Sequence, residues 1–462
     1  MVAIDLVYPK LDADYKNLVS GYSVFPPPSG LEIIASYIQN NFQDAKISIW
    51  DGQFFNDVIQ NLSGDFVGIS DWFSNHENAM NIAKKAKRKN SKCKIIIGGP
   101  NASNLNKRIL DNHPYIDYVC GGDGEESLLG IIGLKEGKTS LENIPNLWHR
   151  NSKGESCFTY YKNISLNILP NFDFGHLSKS NLKKYDSRKE NYAFDLDRTP
   201  ITLSSIRGCL KASKLGKCSY CSLPLKGIRL MNPKKVWSQI QSLNKKYGIN
   251  SFFETGDNLV VGDYPLRLLD KKPKDLNVTF RAYASPDSIT SEVGETLRKL
   301  GVKEIFMGVE NISPEILRRT NKFYDTTRVE NSIRNCEVNG IGVFLPFLFG
   351  LPGETEMTAK KNHEFAHYLS EKYFNINRIL YSLAVPVIGC SWFELLTKDK
   401  EIINKYPDIL HTDKINYPLL TKLSIQKNCK IKLEELLDIV NSPPRLDKNR
   451  IASYGDIANK LL

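Results

Sequence analysis

The sequence predicts an α/β chain in three parts: a doubly wound parallel sheet, a βα barrel or partial barrel, and a small, mostly helical carboxyl-terminal appendage. Three observations predict it. Short β-rich runs alternate with amphipathic helical patterns over the first ~130 residues and again for nearly two hundred from Thr202. A weaker stretch rich in Asn, Ser and Lys separates the two regions. Glycine-rich and acidic segments fall at the carboxyl ends of the β-runs, where parallel α/β folds place their ligands. The chain has 462 residues, 41% hydrophobic and 24% charged, enough apolar material for several cores and too much for a mainly disordered protein.

In the first region, Ala3 to Tyr8 reads as a strand. Ser29-Gly-Leu-Glu32 then matches a capping box before a helix face of Leu31, Ile34, Ala35 and Ile38. Further strands are Lys46 to Trp50, Phe66 to Ser70, Lys94 to Ile97 and Ile116 to Cys120, with a helix carrying Ala79, Ile82, Ala83 and Ala86 between the second and third of these. Their ends carry Asp51, Ser70-Asp71, Gly98-Gly99-Pro100 and Gly121-Gly-Asp-Gly-Glu125. No Gly-x-Gly-x-x-Gly follows Tyr8, which excludes a dinucleotide fingerprint, and Gly133 to Thr139 has one residue too few between its glycines for a phosphate loop.

In the second region, strands are expected at Ile201 to Ile206, Ser251 to Phe253, Val278 to Tyr283, Glu304 to Val309 and Gly342 to Phe349. Gly301 and Gly340 stop helices, Pro314 starts one, and Thr327-Arg-Val-Glu330 matches a second capping box. The expected division is residues 1–140 as the first domain, 141–200 as a connector, 201–395 as the barrel and 396–462 as a cap or substrate-contact region.

Composition narrows the function. No apolar run reaches the ~18 residues of a membrane span and the start lacks a basic-then-apolar leader, so a cytoplasmic protein with no membrane partner is expected. The charge of +11 is spread along the chain, and its densest run, Lys84 to Lys89, lies on an amphipathic helix whose outer face is solvated. Nucleic acid is not an expected partner. Nine cysteines, three of them within thirteen residues, suggest a metal site in a reducing compartment and not a disulfide framework.

Those three, Cys209, Cys218 and Cys221, follow a strand ending at Arg207-Gly208. A closed zinc site lacks its fourth ligand, for the chain has one Cys-x-x-Cys and no His between His176 and His363. Three soft thiolates suit iron-sulfur chemistry, and a cubane held by three leaves one iron open to a small molecule.

Ser205-Ile-Arg-Gly-Cys209 with Cys218-Ser-Tyr220-Cys221-Ser222 resembles the cluster loop of radical SAM enzymes, after the first strand of their barrel. That family usually has three residues between its first two cysteines; here there are eight. Closing the longer loop costs only about 0.9 kcal/mol more by loop-entropy scaling. The likeness continues in order through Phe252-Phe-Glu254-Thr-Gly-Asp257-Asn258, Arg281, Gly308-Val-Glu310-Asn311, Gly350-Leu-Pro-Gly353-Glu354-Thr355 and Pro386-Val-Ile-Gly389. It implies that Cys209, Cys218 and Cys221 bind a 4Fe-4S cluster whose open iron chelates S-adenosylmethionine. Tyr220 would lie by the adenine and Glu310 help hold the ligand. Glu254, Asp257, Arg281, Gly350 and Gly353 are the further cofactor-binding candidates. Taken singly, Glu310 also reads as a solvated acid, Arg281 as an ion-pair partner, and Gly350 and Gly353 as a turn.

The first ~130 residues resemble the Rossmann-like, cobalamin-binding domain fused to one branch of that family, on Pro27-Pro-Ser-Gly30-Leu31, Asp65 to Ser70, Ile96-Ile-Gly98-Gly99-Pro100 and Asp117 to Glu125. Ser70, Gly98, Gly99 and Gly121 are the candidate cobalamin contacts. The Asp-x-His-x-x-Gly loop of mutase-type domains is absent; Asp12-Ala-Asp14 stands there without a His, and His76 reads as a helix-start or solvent residue.

The resemblance implies a cobalamin-dependent radical SAM enzyme with a (βα)6 partial barrel, cleaving S-adenosylmethionine to a 5'-deoxyadenosyl radical. Methylation of an unactivated carbon of a small molecule is the leading expectation, with an external flavodoxin- or ferredoxin-type electron donor. Cyclisation or rearrangement, with or without cobalamin, is the alternative. A tRNA methylthiotransferase would need a second cluster, and Cys93, Cys120 and Cys157 are too dispersed for one. A non-catalytic iron-sulfur protein binding nucleic acid is the reading from another class. No catalytic residue or substrate is singled out.

Overall fold

The computed structural model describes residues 2–12, 26–55, 58–177, 182–185, 201–224, 226–446 and 451–454. The chain divides into two compact units. One comprises Met1–Asp186 with Ser222–Lys226 and Asp408–Ile415; the other comprises Ser187–Cys221, Gly227–Pro407 and Asn416–Leu462.

The first unit is built on a seven-stranded sheet. Its strands are β1 Val2–Tyr8, β2 Ala45–Asp51, β3 Phe66–Ser70, β4 Lys94–Gly98, β5 Tyr118–Cys120, β6 Leu147–Arg150 and β7 Ser156–Phe158, in the order β2-β1-β3-β4-β5-β6-β7. The first five pair in parallel. They read as near-continuous apolar runs because helices cover both faces, and Val7, Ile49, Ile95 and Ile97 are fully buried. The order 2-1-3 reverses direction at β1 and β3, the arrangement that opens a crevice beyond their carboxyl ends. Residues 147–158, read as connector, instead add an antiparallel hairpin to the sheet edge, with Trp148 packed on Phe158.

In the second unit, the run expected at Ile201 to Ile206 divides into β8 Ile201–Leu203 and β9 Ile206–Gly208, and β9 pairs antiparallel with β10 Ile228–Leu230. The main sheet continues with β11 Ser251–Glu254, β12 Thr279–Ala284, β13 Val302–Met307, β14 Gly342–Phe349, β15 Ile376–Leu383 and β16 Ile451–Tyr454. All its pairings are parallel, in the order β16-β15-β14-β13-β12-β11-β8. This is an open βα barrel of seven strands. The mostly helical tail thus supplies one strand, and β15 went unmarked in the sequence.

Alternation along these strands separates an outer core from a lumen. Phe252 and Phe280 turn outward, where Phe280 meets Trp237 of the helix Pro233–Tyr247. Their neighbours Phe253, Tyr283, Phe306 and Phe344 form a continuous aromatic row on the inner face. Among the described residues no helix is long and apolar enough to cross a membrane.

Helix starts depart from the expected boxes. Glu32 does not cap its helix; its fully buried carboxylate meets His176 Nδ1 at 3.0 Å. Glu330 likewise binds Lys372 and Tyr368, and Asp325 caps that helix through the Arg328 N–H. The capping box that forms is Thr355 with Thr358. Both misread acids have tertiary partners that local spacing does not show.

Candidate cofactor-binding site

In the second unit, the cysteines lie on the loop between β9 and β10. Gly208, just before Cys209, has φ +90, and a Cβ there would stand 2.1 Å from the Gly227 carbonyl oxygen. Only glycine lets the two ends of the loop come so close. Most of the eight residues between Cys209 and Cys218 fold as the helix Leu210–Leu215, ended by Gly216 at φ +83. Asn321, itself left-handed at φ +56, donates Nδ2 to the carbonyls of Leu215, Gly216 and Lys217 at 3.1, 3.1 and 2.9 Å. The Ser219 N–H donates to Thr320 O at 3.1 Å, and Ser219 O accepts from the Trp392 N–H at 3.1 Å. The longer spacing is thus a built element and not slack chain.

All nine cysteines are free thiols. Cys209, Cys218 and Cys221 are half-exposed on this loop. Elsewhere burial holds thiols protonated, pushing Cys120, Cys336 and Cys429 up to about 12. Among the described residues no three His, Cys, Asp or Glu side chains are grouped to hold a metal ion. Three soft sulfurs on one loop suit the separate iron corners of a 4Fe-4S cluster.

Around the loop stand Tyr220, Glu310, Lys322 and Tyr324. Glu310 follows β13 with φ +60, rare for a non-glycine residue, and is held by its N–H to Pro346 O at 2.9 Å and its carbonyl to the Leu348 N–H at 2.7 Å. Lys322 Nζ lies 3.3 Å from Glu310 Oε1 and 2.8 Å from Gly308 O, and over the rings of Tyr220 and Tyr324. Burial, then the negative charges of Glu310 and Cys218, push both phenols well above their ordinary range. Tyr220 and Glu310 are therefore brought together beside Cys218. Asp257 also reaches the loop, its carboxylate accepting the Gly208 N–H.

The other candidates lie apart from this group. Glu254 turns outward toward Trp237 and Leu268, and its carboxylate accepts the backbone N–H groups of Ser205 and Gly256 at 3.2 and 2.9 Å. Burial pushes it up to about 7. Arg281 is buried at the inner face of β12, paired through Nε with Glu304 Oε1 at 2.7 Å and stacked on Phe253. Gly350 and Gly353 have φ +81 and +89, but a Cβ would meet Ile425 and Arg319 respectively. Their glycines answer to packing by this chain's own side chains. The turn is fixed by the buried Glu354, which accepts from the Gly350 N–H and from Asn311 Nδ2. Lys322 and Asn321 were missed in the sequence; a helix end followed by Asn-Lys was the only local signal.

In the first unit, Ser70, Gly98, Gly99 and Gly121 line up at the carboxyl ends of β3, β4 and β5. A Cβ on Gly98 would touch only Cys120, at an ordinary 3.6 Å, so that turn is open. Gly99, at φ +115, is packed on Asp71, whose carbonyl oxygen a Cβ would meet at 2.6 Å. Gly121 lies against Trp148 and Phe158. Asp12 is buried and caps the helix His76–Lys89 through the N–H groups of Glu77 and Asn78 at 2.9 and 2.8 Å. Asp14 lies outside the described residues.

His76 does start a helix, but the solvent role is corrected: its ring is buried. Nδ1 is 2.9 Å from Asp71 Oδ1, and Nε2 is 3.1 Å from Asp413 Oδ2. Although burial opposes its charge, the carboxylates of Asp71 and Asp413 raise it to about 10. With both nitrogens engaged, His76 offers none to a metal. Of these strand-end glycines Gly98 leaves an open turn, Gly99 and Gly121 are packed by this chain's own residues, and a group seated at this edge would receive no imidazole from His76.

Comparison with known proteins agrees with both units. Residues 203–366 match the profile of the Radical SAM superfamily, and residues 18–132 that of the B12 binding domain. An uncharacterised methyltransferase of Pyrococcus horikoshii is 23% identical over 411 residues, 85% of this chain and 83% of that protein. The hopanoid C-3 methylase of Methylococcus capsulatus is 23% identical over 308 residues, 64% of this chain and 55% of the methylase. TsrM from Kitasatospora setae, a radical S-adenosylmethionine methyltransferase solved with cobalamin and a 4Fe-4S cluster, superposes with a TM-score of 0.66. It is 18% identical, over 86% of this chain and 78% of that one. OxsB, a cobalamin-dependent S-adenosylmethionine radical enzyme, gives a TM-score of 0.65 at 18% identity, over 93% of this chain and 56% of its own. The chain therefore spans little more than half of the hopanoid methylase and of OxsB. At these identities the structural likeness shows the fold.

Proposed function

From the premise that this chain is a radical SAM protein carrying a B12-binding domain, we propose that it methylates an unactivated carbon of a small molecule. The observation that carries the reading is the ordered loop of Cys209, Cys218 and Cys221, closed at Gly208 and faced by Tyr220, Glu310 and Lys322. When bound, the 4Fe-4S cluster and S-adenosylmethionine supply a radical able to take a hydrogen atom from carbon, and cobalamin supplies a methyl carrier.

The chain's own residues seat these groups. The three cysteines hold the cluster. Glu310 and Lys322 place one anion and one cation side by side, the complement of a zwitterionic amino-acid end. Tyr220 gives an aromatic face for the adenine. The row Phe253, Tyr283, Phe306 and Phe344 walls the lumen with groups that exclude water. Ser70, Gly98, Gly99 and Gly121 are the proposed edge for cobalamin. The methyltransferase and methylase names of two relatives, one matched along 85% of this chain, support methylation; anaerobic magnesium-protoporphyrin IX monomethyl ester cyclases also match, which keeps cyclisation as the alternative.

Anaerobic reconstitution tests this. The loaded chain, reduced by dithionite, is expected to convert S-adenosylmethionine to 5'-deoxyadenosine. Cys218→Ala should lose cluster absorbance and this conversion together; full conversion by that variant refutes the ligand assignment. A salt-dependent shift of DNA or RNA without any cleavage would favour the binding-protein reading instead.

A further inference from the structure

We propose that the exposed face of the helix Leu210–Leu215, together with Phe323 and Leu395 on the segments hydrogen-bonded to its loop, is the docking surface for a small acidic flavodoxin that delivers the reducing electron. The proposal rests on the radical SAM reading above. In the step it serves, one electron leaves the flavin hydroquinone, which becomes the semiquinone, and enters the cluster held by Cys209, Cys218 and Cys221. Such transfer weakens steeply with distance, so the donor must land on the loop that carries the cysteines.

Three segments meet around that loop. Asn321 binds the carbonyls of Leu215, Gly216 and Lys217, which brings Phe323 to the helix. Lys217 Nζ donates to Gly389 O at 2.9 Å and Ser391 Oγ to Ser219 O at 3.3 Å, which brings the helix Ser391–Leu396 alongside. Each segment exposes a large apolar side chain: Leu215 is 65% exposed, Phe323 56% and Leu395 67%. Exposed apolar groups on segments tied to one loop offer contact area to a partner. The six-residue helix also carries Lys211 and Lys214, with Lys217 following; the latter two are exposed. The three lysines outnumber the exposed Glu394 beside Leu395, so the loop presents a net positive charge that suits an acidic partner and steers its approach.

The helix exists only because eight residues separate Cys209 from Cys218. A three-residue spacing has no room for it. The extra length therefore supplies a landing place as well as a connection.

The test uses the double variant Lys214→Glu with Leu215→Ser; Lys211 is left intact because its Nζ caps Gly216 O at 2.9 Å. Flavodoxin binding is measured by calorimetry on the full chain, with and without the cluster. Deoxyadenosine formation is measured with either flavodoxin and its reductase or dithionite. The variant is expected to weaken flavodoxin binding and raise its apparent KM about tenfold, with the dithionite-driven rate unchanged. Wild-type binding should weaken with salt. Unchanged flavodoxin affinity and KM in the variant overturn the proposal, as does an equal loss with dithionite. If the wild type makes no deoxyadenosine even with dithionite, the radical SAM reading fails, and the binding measurement still decides the docking surface.

Discussion

At the scale of single residues, the cysteine loop depends most on Gly208. A left-handed φ costs an ordinary residue about 1–2 kcal/mol. Here the larger obstacle is steric, because the added methyl group would overlap Gly227 O and part β9 from β10. Gly208→Ala is therefore expected to leave the first unit folded while the chain retains several-fold less iron after reconstitution, read by iron analysis and cluster absorbance. Gly216→Ala provides the comparison, since its Cβ would meet only Asn321 Nδ2, at 3.4 Å. It should reduce iron content far less. Equal iron in wild type and Gly208→Ala would show that closing the hairpin is not what shapes the site.

At the scale of elements, the His76 cluster fastens the segment Asp408–Ile415 to the first unit. Asp413 binds His76 and His113, and Arg108 Nη1 donates to Ile409 O and Thr412 O at 2.8 and 3.2 Å. His76 is raised in the folded chain from an ordinary 6.5 to about 10, so folding favours its protonated form. The resulting stability is complete below about pH 6.5 and is lost as pH rises through 10. Asp413 is shifted down by His113 and His76 despite its burial, so its contribution is present above the ordinary carboxylate range and lost in acid. The urea midpoint of the first unit should fall between pH 6.5 and 10, and His76→Gln should flatten that fall. Identical slopes in the two proteins would deny His76 this role.

The same element shows what was legible in the sequence. Strands β3 and β14 could be marked to the residue, because buried parallel strands are written as apolar runs. Cysteine spacing and strand-end glycines are equally local. β15 escaped because Arg378 interrupts its apolar run, and that side chain stacks on Phe344 of the next strand, a tertiary reason. Glu254 was assigned to the site by its motif, whereas alternation along β11 turns it outward while Phe253 faces in. Asp413 and His76 are 337 positions apart, and nothing in either neighbourhood announces the other.

At the scale of the whole molecule, the proposed cofactors fall to different units, and each unit has its own core and sheet. The cluster residues lie in one, after β9. Ser70, Gly98, Gly99 and Gly121 lie in the other, on strands that contribute nothing to the barrel. Loss of one group should therefore leave the unit that holds the other folded, because each unit is built on its own sheet and core. Cys218→Ala should lose its iron and still bind cobalamin with wild-type affinity, as followed by absorbance. The spectrum is expected to be that of a form lacking an imidazole ligand, because both nitrogens of His76 are already held by Asp71 and Asp413. His76→Gln should then leave that spectrum unchanged. A spectral shift on that substitution would mean that His76 leaves its carboxylates to reach cobalt. Failure of the wild type to bind cobalamin at high micromolar concentration would leave the first unit a structural role alone.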